Sequence, residues 1–213
     1  MTPADYDAWY DTPRGRWIGD TEYALASRLL AAQAGDSLLD VGCGTGWFTR
    51  RAAADGLVAT GLDPDPAALD FARANSDPAL RWVEGDARDL PFADASFDHV
   101  LSVAALCFVD DERRAVAEAV RVARRRFAIG WLNRTSLLYR EKGKNGGGGA
   151  YRGARWHTGR EAWALFRGLP VRRLTMRSAI FLPSGTPWAR LLAQGVPAAL
   201  PWGGLVVVQG EKA

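Results

Sequence analysis

Apolar and polar positions in the first two thirds of the chain form two kinds of segment that alternate. Short runs rich in Leu, Val, Ile and Phe predict strands, and the segments between them carry apolar residues at helical spacing. The five predicted strands cover residues 37–41, 57–63, 80–86, 97–106 and 126–132. Strands that alternate with helices indicate an α/β fold with a parallel sheet, helices on both faces and right-handed crossovers.

Capping residues mark the ends of the predicted helices. One helix covers residues 20–34 with Asp20 as its N-cap, and another runs from Trp47 to Gly56, where the glycine closes it. The next helix begins at Asp65, because a proline follows in its first turn. A fourth occupies residues 111–125.

Beyond the fifth strand the regular alternation breaks down. Residues 133–157 include a run of glycines whose backbone entropy disfavours helix and strand, so we expect a mobile loop there. Thr158 begins a capping box that opens another helix. Residues 171–182 and 203–210 predict two more strands, separated by a proline-punctuated excursion over 183–203.

This order of elements predicts one domain over residues 1–213. We expect an N-terminal helical segment over 1–34 and a cofactor-binding core over 35–132. The excursions at 133–157 and 183–203 are expected to form a cap over the sheet that holds the substrate.

A glycine-rich loop follows the first strand. Residues 38–46 read LLDVGCGTG, with Gly42, Gly44 and Gly46 at the carboxyl edge of the sheet, where ligands bind in such folds. The dinucleotide fingerprint needs a small residue where Trp47 stands, which argues against a nicotinamide or flavin cofactor. A phosphate P-loop is excluded, because no Gly-Lys-Ser or Gly-Lys-Thr follows.

Two carboxylates accompany this loop. Asp40 lies one residue before the first strand ends, so it either faces a cationic ligand or ties down the amides of the loop. Asp63 ends the second strand, where it can accept both hydroxyls of a ribose, and it can also cap the next helix. Ribose binding does not by itself distinguish NAD from other adenosyl ligands.

Three motifs in order identify a family resemblance. They are LLDVGCGTGWFT, VATGLDPDPAALDFAR and EGDARDLPFADASFDHVLSVAAL. The chain over roughly residues 35–170 closely resembles the class I S-adenosylmethionine-dependent methyltransferases, specifically the small-molecule methyltransferase domain of type 11. The resemblance implies a doubly wound, Rossmann-like, seven-stranded and mostly parallel sheet whose last strand is antiparallel. It also implies S-adenosyl-L-methionine as cofactor and S-adenosyl-L-homocysteine as product.

The resemblance further implies roles for individual residues. The three loop glycines would make room for the methionine and ribose portions of the cofactor, with Asp40 at the methionyl end and Asp63 on the ribose. The remaining implied contacts are Pro64 beside the adenine, Asp86 accepting from its amino group, the backbone of Ala87, and the backbone near Val103 facing the cofactor's amino group. Cys107 and Phe108 stand where many relatives carry histidines, which removes one possible base.

The N-terminal segment carries aromatic residues at helical spacing, namely Tyr6, Trp9, Tyr10 and Trp17. In relatives such a segment folds over the cofactor, and an aromatic face such as that of Tyr10 can attract a sulfonium by cation–π interaction. The alternative is that these side chains pack the helix onto the sheet.

A proton acceptor is needed only if the methyl acceptor is a hydroxyl or an amine. His157 and Tyr139 are the candidates, because one ends the glycine-containing loop and the other precedes its glycine run. Alternatively, His157 caps the next helix or faces water, and Tyr139 anchors the loop; His99, inside a strand, is expected in the core. Four tryptophans near the predicted cap, Trp131, Trp156, Trp188 and Trp202, predict an apolar or aromatic acceptor pocket or else the core of the cap.

Composition narrows the possible partners, metals and locations of the protein. The net charge of +3 comes from scattered arginines without a dense basic stripe, so we expect no nucleic-acid partner. The two cysteines have neither metal-like nor disulfide-like spacing, which predicts free thiols, no metal and a reducing compartment. No signal-like segment or run of about 18 apolar residues occurs, so we expect a cytoplasmic protein that does not insert into membranes.

The sequence therefore predicts a methyltransferase that moves a methyl group from S-adenosylmethionine to a small molecule by in-line displacement. Two alternatives remain open. One is a regulatory module that binds an adenosyl ligand without transferring a methyl group, and the other is an NAD-dependent oxidoreductase.

Overall fold

A computed structural model of the chain describes residues 1–213, apart from the side chain of Gln194. Its strands are β1 Ser37–Val41, β2 Val58–Asp63, β3 Arg81–Glu84, β4 Phe97–Val103, β5 Ala123–Leu132, β6 Val171–Ala179 and β7 Leu205–Lys212. Its α-helices are α1 Pro3–Trp9, α2 Pro13–Leu30, α3 Trp47–Ala54, α4 Pro66–Ala74, α5 Glu112–Val122, α6 Gly159–Ala164 and α7 Pro187–Gln194. Short helical turns occur at Leu106–Phe108, Tyr139–Gly143, Lys144–Gly146 and Gly149–Tyr151.

The seven strands form one sheet in the order β3-β2-β1-β4-β5-β7-β6. Strands β1 to β5 pair in parallel, whereas β7 runs antiparallel to both β5 and β6. The predicted mostly parallel, seven-stranded sheet with an antiparallel last strand is confirmed. Because the strand order reverses between β1 and β4, the carboxyl ends of these two strands flank the crevice in which such sheets bind ligands.

Each face of the sheet has its own hydrophobic core. On one face β5 buries Phe127 and Trp131, and the Phe166 ring that follows α6 stacks on Phe127 at 5.3 Å. On the other face α2 contributes Leu25 and Leu30 to a separate core. Burial of side chains of this size stabilises a fold by about 1.5–3 kcal/mol each. Trp131 is fully buried and thus belongs to the sheet core, not to a cap.

The boundaries of helices α2 and α5 differ from the predicted ones. Helix α2 begins at Pro13, with the Thr12 side chain capping it, so the predicted start at Asp20 is wrong. Proline at the first helical position and a threonine before it outweigh the weaker signal of Asp20, which lies within the helix. Helix α5 ends at Val122, because the arginines after it already belong to β5.

The segment 133–157 folds back onto the sheet. His157 forms an isolated bridge with Asn133, and its backbone N–H donates to the Leu132 carbonyl at 2.9 Å. Between these points the chain forms the short helical turns that cover the carboxyl edge of the sheet. None of the helices in the part of the chain that the structure describes is long and apolar enough to cross a membrane.

Candidate functional site

The loop after β1 takes backbone angles that favour glycine. Gly42, Gly44 and Gly46 have φ values of 75°, 52° and 83°, in the left-handed region. A Cβ at Gly42 would lie 2.3 Å from the Cβ of Ala105, and one at Gly46 would lie 2.3 Å from the Trp82 ring. A Cβ at Gly44 would meet nothing within 4 Å. Thus Gly42 and Gly46 allow close packing, whereas Gly44 faces open space.

Asp63 fastens this loop from the end of β2. One carboxylate oxygen accepts from the backbone N–H of Gly44 at 2.8 Å, and the other accepts from the N–H of Asp65 at 2.9 Å. Burial raises the pKa of Asp63, and these two hydrogen bonds oppose the rise. A carboxylate oxygen can accept more than one hydrogen bond, so Asp63 keeps acceptor capacity toward the cavity that it lines.

Asp40 lies beneath the loop and is almost fully buried. Its carboxylate accepts from the Thr49 hydroxyl at 2.7 Å. Burial raises the pKa of Asp40 to about 7, and the nearby charge of Asp63 adds to the rise. Asp40 does not line the cavity, so any action on a ligand there is electrostatic and passes through the loop.

One large cavity opens beside the loop and has a volume of about 1130 Å³. Ligand pockets usually measure about 300–1,000 Å³, so this cavity has room for a cofactor together with a second small molecule. Its floor includes Gly42, Gly44 and Asp63, and its roof consists of residues from 141 to 151. Most of the predicted cofactor-binding residues line the cavity, namely Tyr10, Gly42, Gly44, Asp63, Pro64, Asp86, Ala87 and Val103. Asp40 and Gly46 do not line it.

Asp86 lies at the cavity edge beyond β3 and is already paired. Both of its carboxylate oxygens contact the Arg88 guanidinium, at 2.6 and 3.0 Å, and this pairing lowers the pKa of Asp86. Ala87 beside it is buried and lines the wall. The position of both residues suits contact with a ligand, although Arg88 occupies part of the acceptor capacity of Asp86.

The N-terminal aromatics form one wall. Tyr10 is buried and stacks on Trp47 at 4.4 Å, and its hydroxyl lies 3.3 Å from that of Tyr6. Gly19 of α2 lets both rings approach, since a Cβ there would lie 2.7 Å from Trp47 and 2.9 Å from Tyr10. Trp17 does not line the cavity; the Arg190 guanidinium lies 5.7 Å from its ring.

The two candidate proton acceptors lie outside this cavity. His157 Nε2 is 2.8 Å from an oxygen of the buried Glu112, and the Nε of Arg155 donates to the other oxygen at 2.9 Å. Tyr139 packs edge-on against Trp156 at 5.3 Å. The contacts with Glu112 attach the end of the segment that carries the roof to α5, and the contact between Tyr139 and Trp156 packs that segment on itself. His99 is buried in β4, with Nε2 3.0 Å from Asp36.

The excursion over residues 183–203 contributes no lining residue to the cavity in the part of the chain that the structure describes. Trp188 and Trp202 are exposed at 75% and 59%. This segment is fastened to the start of α2, because Arg14 donates to the Pro183 carbonyl at 2.8 Å and Arg190 donates to the Pro13 carbonyl at 2.7 Å.

Two buried polar residues of the cavity, Thr45 and Glu22, were not anticipated from the sequence. The Thr45 hydroxyl oxygen is buried and has no hydrogen-bond partner among the described residues. Glu22 of α2 also lines the cavity and is only 9% exposed. Burial raises the pKa of Glu22 to about 8. A polar residue on the buried face of α2 is the one signal that could have revealed it.

Comparisons with known proteins agree with this geometry. Residues 39–126 match the family described as a methyltransferase domain. An uncharacterised protein of Mycobacterium tuberculosis is 38% identical over 192 residues, which are 85% of this chain and 62% of that protein. The chain thus spans 62% of the length of this curated relative.

Two solved structures show the same fold. A structure from Thermotoga maritima, titled as an S-adenosylmethionine-dependent methyltransferase and possible histamine N-methyltransferase, has a TM-score of 0.77 and 25% identity. The match covers 99% of this chain and 95% of that one. Geranyl diphosphate C-methyltransferase from Streptomyces coelicolor, solved with S-adenosyl-L-homocysteine, has a TM-score of 0.64 and 18% identity over 90% of this chain and 75% of that one.

Proposed function

We propose that this chain, which resembles the class I S-adenosylmethionine-dependent methyltransferases, transfers the methyl group of S-adenosylmethionine to a small-molecule acceptor. The observation that carries the proposal is the single cavity that reaches from Gly44 and Asp63 to Tyr151 in the roof. Such a cavity can hold cofactor and acceptor side by side. The acceptor then lies between the cofactor end of the cavity and the roof.

The residues at the cofactor end fit S-adenosylmethionine. Gly44 leaves open space where any side chain would intrude, and the unpartnered Thr45 hydroxyl is available to a polar ligand group. Asp63 is placed to accept from ribose hydroxyls at the end of β2. Asp40 and Asp63 both have raised pKa values, and a cation bound nearby would favour their charged forms.

When bound, this cofactor supplies an electrophilic methyl group on a positively charged sulfur. The task of the chain is to align the acceptor behind that methyl group and to exclude water. Positioning of this kind can lower a barrier by roughly 7–11 kcal/mol. The enclosed walls supplied by Tyr10, Trp47 and the roof perform both functions in this proposal.

The acceptor proposed here is apolar or aromatic. Tyr6, Trp9, Tyr10, Trp47 and Tyr151 all line the cavity, and aromatic surfaces of this kind suit such a molecule. His157 and Tyr139 remain candidate proton acceptors that would need the roof to move, because neither lines the cavity. We also propose a cytoplasmic location, which the two free and buried cysteines support.

Isothermal titration tests the proposal at the cofactor end. The protein is titrated separately with S-adenosylmethionine, S-adenosylhomocysteine and NADH, and Asp63→Asn serves as the matched variant. We expect the two sulfur ligands to bind, NADH not to bind, and the variant to bind S-adenosylhomocysteine more weakly. Binding of NADH alone would replace this proposal with an oxidoreductase.

Transfer of a radiolabelled methyl group from S-adenosylmethionine to a panel of small aromatic and lipophilic acceptors tests the reaction itself. Cofactor binding without transfer to any acceptor in the panel would favour the regulatory module instead.

A further inference from the structure

Glu22 is an acid without a partner inside the cavity. It is 9% exposed, and no hydrogen bond or ion pair reaches its carboxyl group from any residue that the structure describes. Acidic side chains are almost never buried in this way unless they are paired. A carboxyl group that faces a ligand cavity and lacks a partner in the protein is suited to a partner on the ligand.

The surroundings of Glu22 specify which partner. Tyr6 and Tyr10 line the same cavity from the N-terminal segment and Tyr151 lines it from the roof. Burial raises the pKa of all three phenols, and a charge on Glu22 adds to the rise. The arginine of α2 that lines the cavity, Arg14, is already engaged: its guanidinium donates to the Pro183 carbonyl at 2.8 Å and to Glu141 at 3.3 Å. The cavity therefore presents a carboxyl group among aromatic rings, with no cation of the protein in contact with it.

We propose that Glu22 receives the ammonium group of an amine acceptor and takes its proton before methyl transfer. This inference rests on the proposed function and names its substrate class as primary or secondary amines. Aromatic rings attract an ammonium by cation–π interaction, and the carboxylate provides its counter-charge. An alcohol of the same shape offers neither interaction.

The chemistry balances within this site. In the free site the Glu22 carboxyl group holds a proton near neutral pH, because burial raises its pKa, and it releases that proton to water as the amine binds. One proton then moves from the ammonium nitrogen to the Glu22 carboxylate, which leaves a nitrogen lone pair. That lone pair forms the new N–C bond as the C–S bond breaks, and the C–S electron pair stays on sulfur. The methylated amine leaves as a cation, and Glu22 returns its proton to water.

Burial favours the proton transfer. In an apolar cavity the neutral pair of amine and carboxylic acid is less costly than the separated charges, because desolvation penalises both charged groups. The raised pKa of Glu22, about 8, agrees with this direction. The titratable groups that face Glu22 are Tyr6, Tyr10 and Tyr151, all with raised pKa values, so none of them is charged near neutral pH.

Calorimetric titration of the protein saturated with S-adenosylhomocysteine tests the proposal. The probes are benzylamine, phenethylamine, tyramine and tryptamine, with 2-phenylethanol as the neutral analogue of phenethylamine. The variants are Glu22→Gln and, as the matched control, Glu141→Gln, which removes another cavity acid that already pairs with Arg14.

We expect at least one amine to bind the wild-type protein about tenfold or more tightly than 2-phenylethanol. Glu22→Gln should abolish that preference, and Glu141→Gln should retain it. Amine affinity in the wild-type protein should rise between about pH 6 and pH 8, because both partners are protonated at the lower pH and binding then releases one proton. The Gln variant should lack this rise.

Three results would overturn the inference: no amine binds, amine binding is equal in Glu22→Gln, or Glu22→Gln weakens S-adenosylhomocysteine binding as strongly as amine binding. The last result would assign Glu22 to the cofactor. Failure of S-adenosylhomocysteine to bind the wild-type protein would instead contradict the proposed function, so the two failures are distinguishable.

Discussion

The burial of Glu22 predicts a pH dependence of the free energy of unfolding that does not depend on any ligand. Burial raises the pKa of its carboxyl group from 4.5 to about 8. In the unfolded chain the same carboxyl group titrates at its ordinary pKa, so between about pH 4.5 and pH 8 the folded state binds more protons than the unfolded state. The free energy of unfolding therefore falls as the pH rises through this window, and the stability is highest below it.

The size of the effect follows from the pKa difference. Each pH unit within the window costs about 1.4 kcal/mol for a fully coupled group, which gives an upper limit of roughly 4 kcal/mol at pH 8. Water entry and small rearrangements reduce such values, so we expect about 2–4 kcal/mol. Glutamine has nearly the same shape and does not titrate. Glu22→Gln should match the wild-type protein near pH 5 and be more stable by that amount near pH 8.

Denaturant unfolding of both proteins without cofactor, at several pH values between about 5 and 8, measures the difference in free energy of unfolding. Other buried acids, such as Asp40, titrate in both proteins and cancel in the difference. Glu141→Gln is the control, because the Glu141 side chain is 42% exposed and its removal should produce no comparable trend. A difference between Glu22→Gln and wild type that stays constant with pH would refute the assignment of Glu22 as a buried acid without a partner.

Four further substitutions test the cofactor end and the roof. Asp63→Ala should weaken S-adenosylhomocysteine binding by roughly 1–3 kcal/mol in calorimetric titration, because acceptor capacity is lost; unchanged affinity would contradict its role. Gly46→Ala should lower the free energy of unfolding by roughly 1–3 kcal/mol, because its Cβ would lie 2.3 Å from the Trp82 ring, whereas Gly44→Ala should mainly weaken ligand binding. Thermal unfolding measures the first effect and calorimetric titration measures the second. The reverse pattern would contradict the roles assigned to the two glycines. Glu112→Gln should loosen the roof at a cost of roughly 1–3 kcal/mol and expose residues 141–151 to faster proteolysis, and an unchanged cleavage rate would argue against this anchoring.

The parallel core of the fold was predictable because local signals and tertiary structure agree there. Strand β1 was predicted at residues 37–41 and found at Ser37–Val41, since a continuous apolar run flanked by turn residues leaves few alternatives. The capping box at Thr158 was also found as predicted. The predicted start of α2 at Asp20 was wrong because two capping signals competed there. A residue that can cap a helix can also lie inside one, and the amphipathic pattern around it does not show whether the helix has already begun.

Only the part of the site whose residues lie near one another in the sequence could be predicted. Gly44 and Asp63 were predicted because each lies at or just beyond the end of a strand. In the structure the backbone N–H of Gly44 donates to the Asp63 carboxylate at 2.8 Å. Glu22 and Tyr151 are separated by more than half of the chain, and only the folding of the roof over α2 brings both to one cavity. No spacing rule connects such residues, so the acceptor side of the site required the structure.

Trp47 links the glycine loop to helix α2. Trp47 stands where the dinucleotide fingerprint needs its third small residue, which is why the sequence argued against a dinucleotide. In the structure its ring stacks on the ring of Tyr10 at 4.4 Å. Gly19 of α2 provides the space for both rings. Because α2 also carries Glu22, the packing around Trp47 positions the helix that brings the carboxyl group to the cavity. Trp47, which stands where a dinucleotide fingerprint needs a small residue, therefore also attaches the cavity wall formed by the N-terminal helices to the glycine loop.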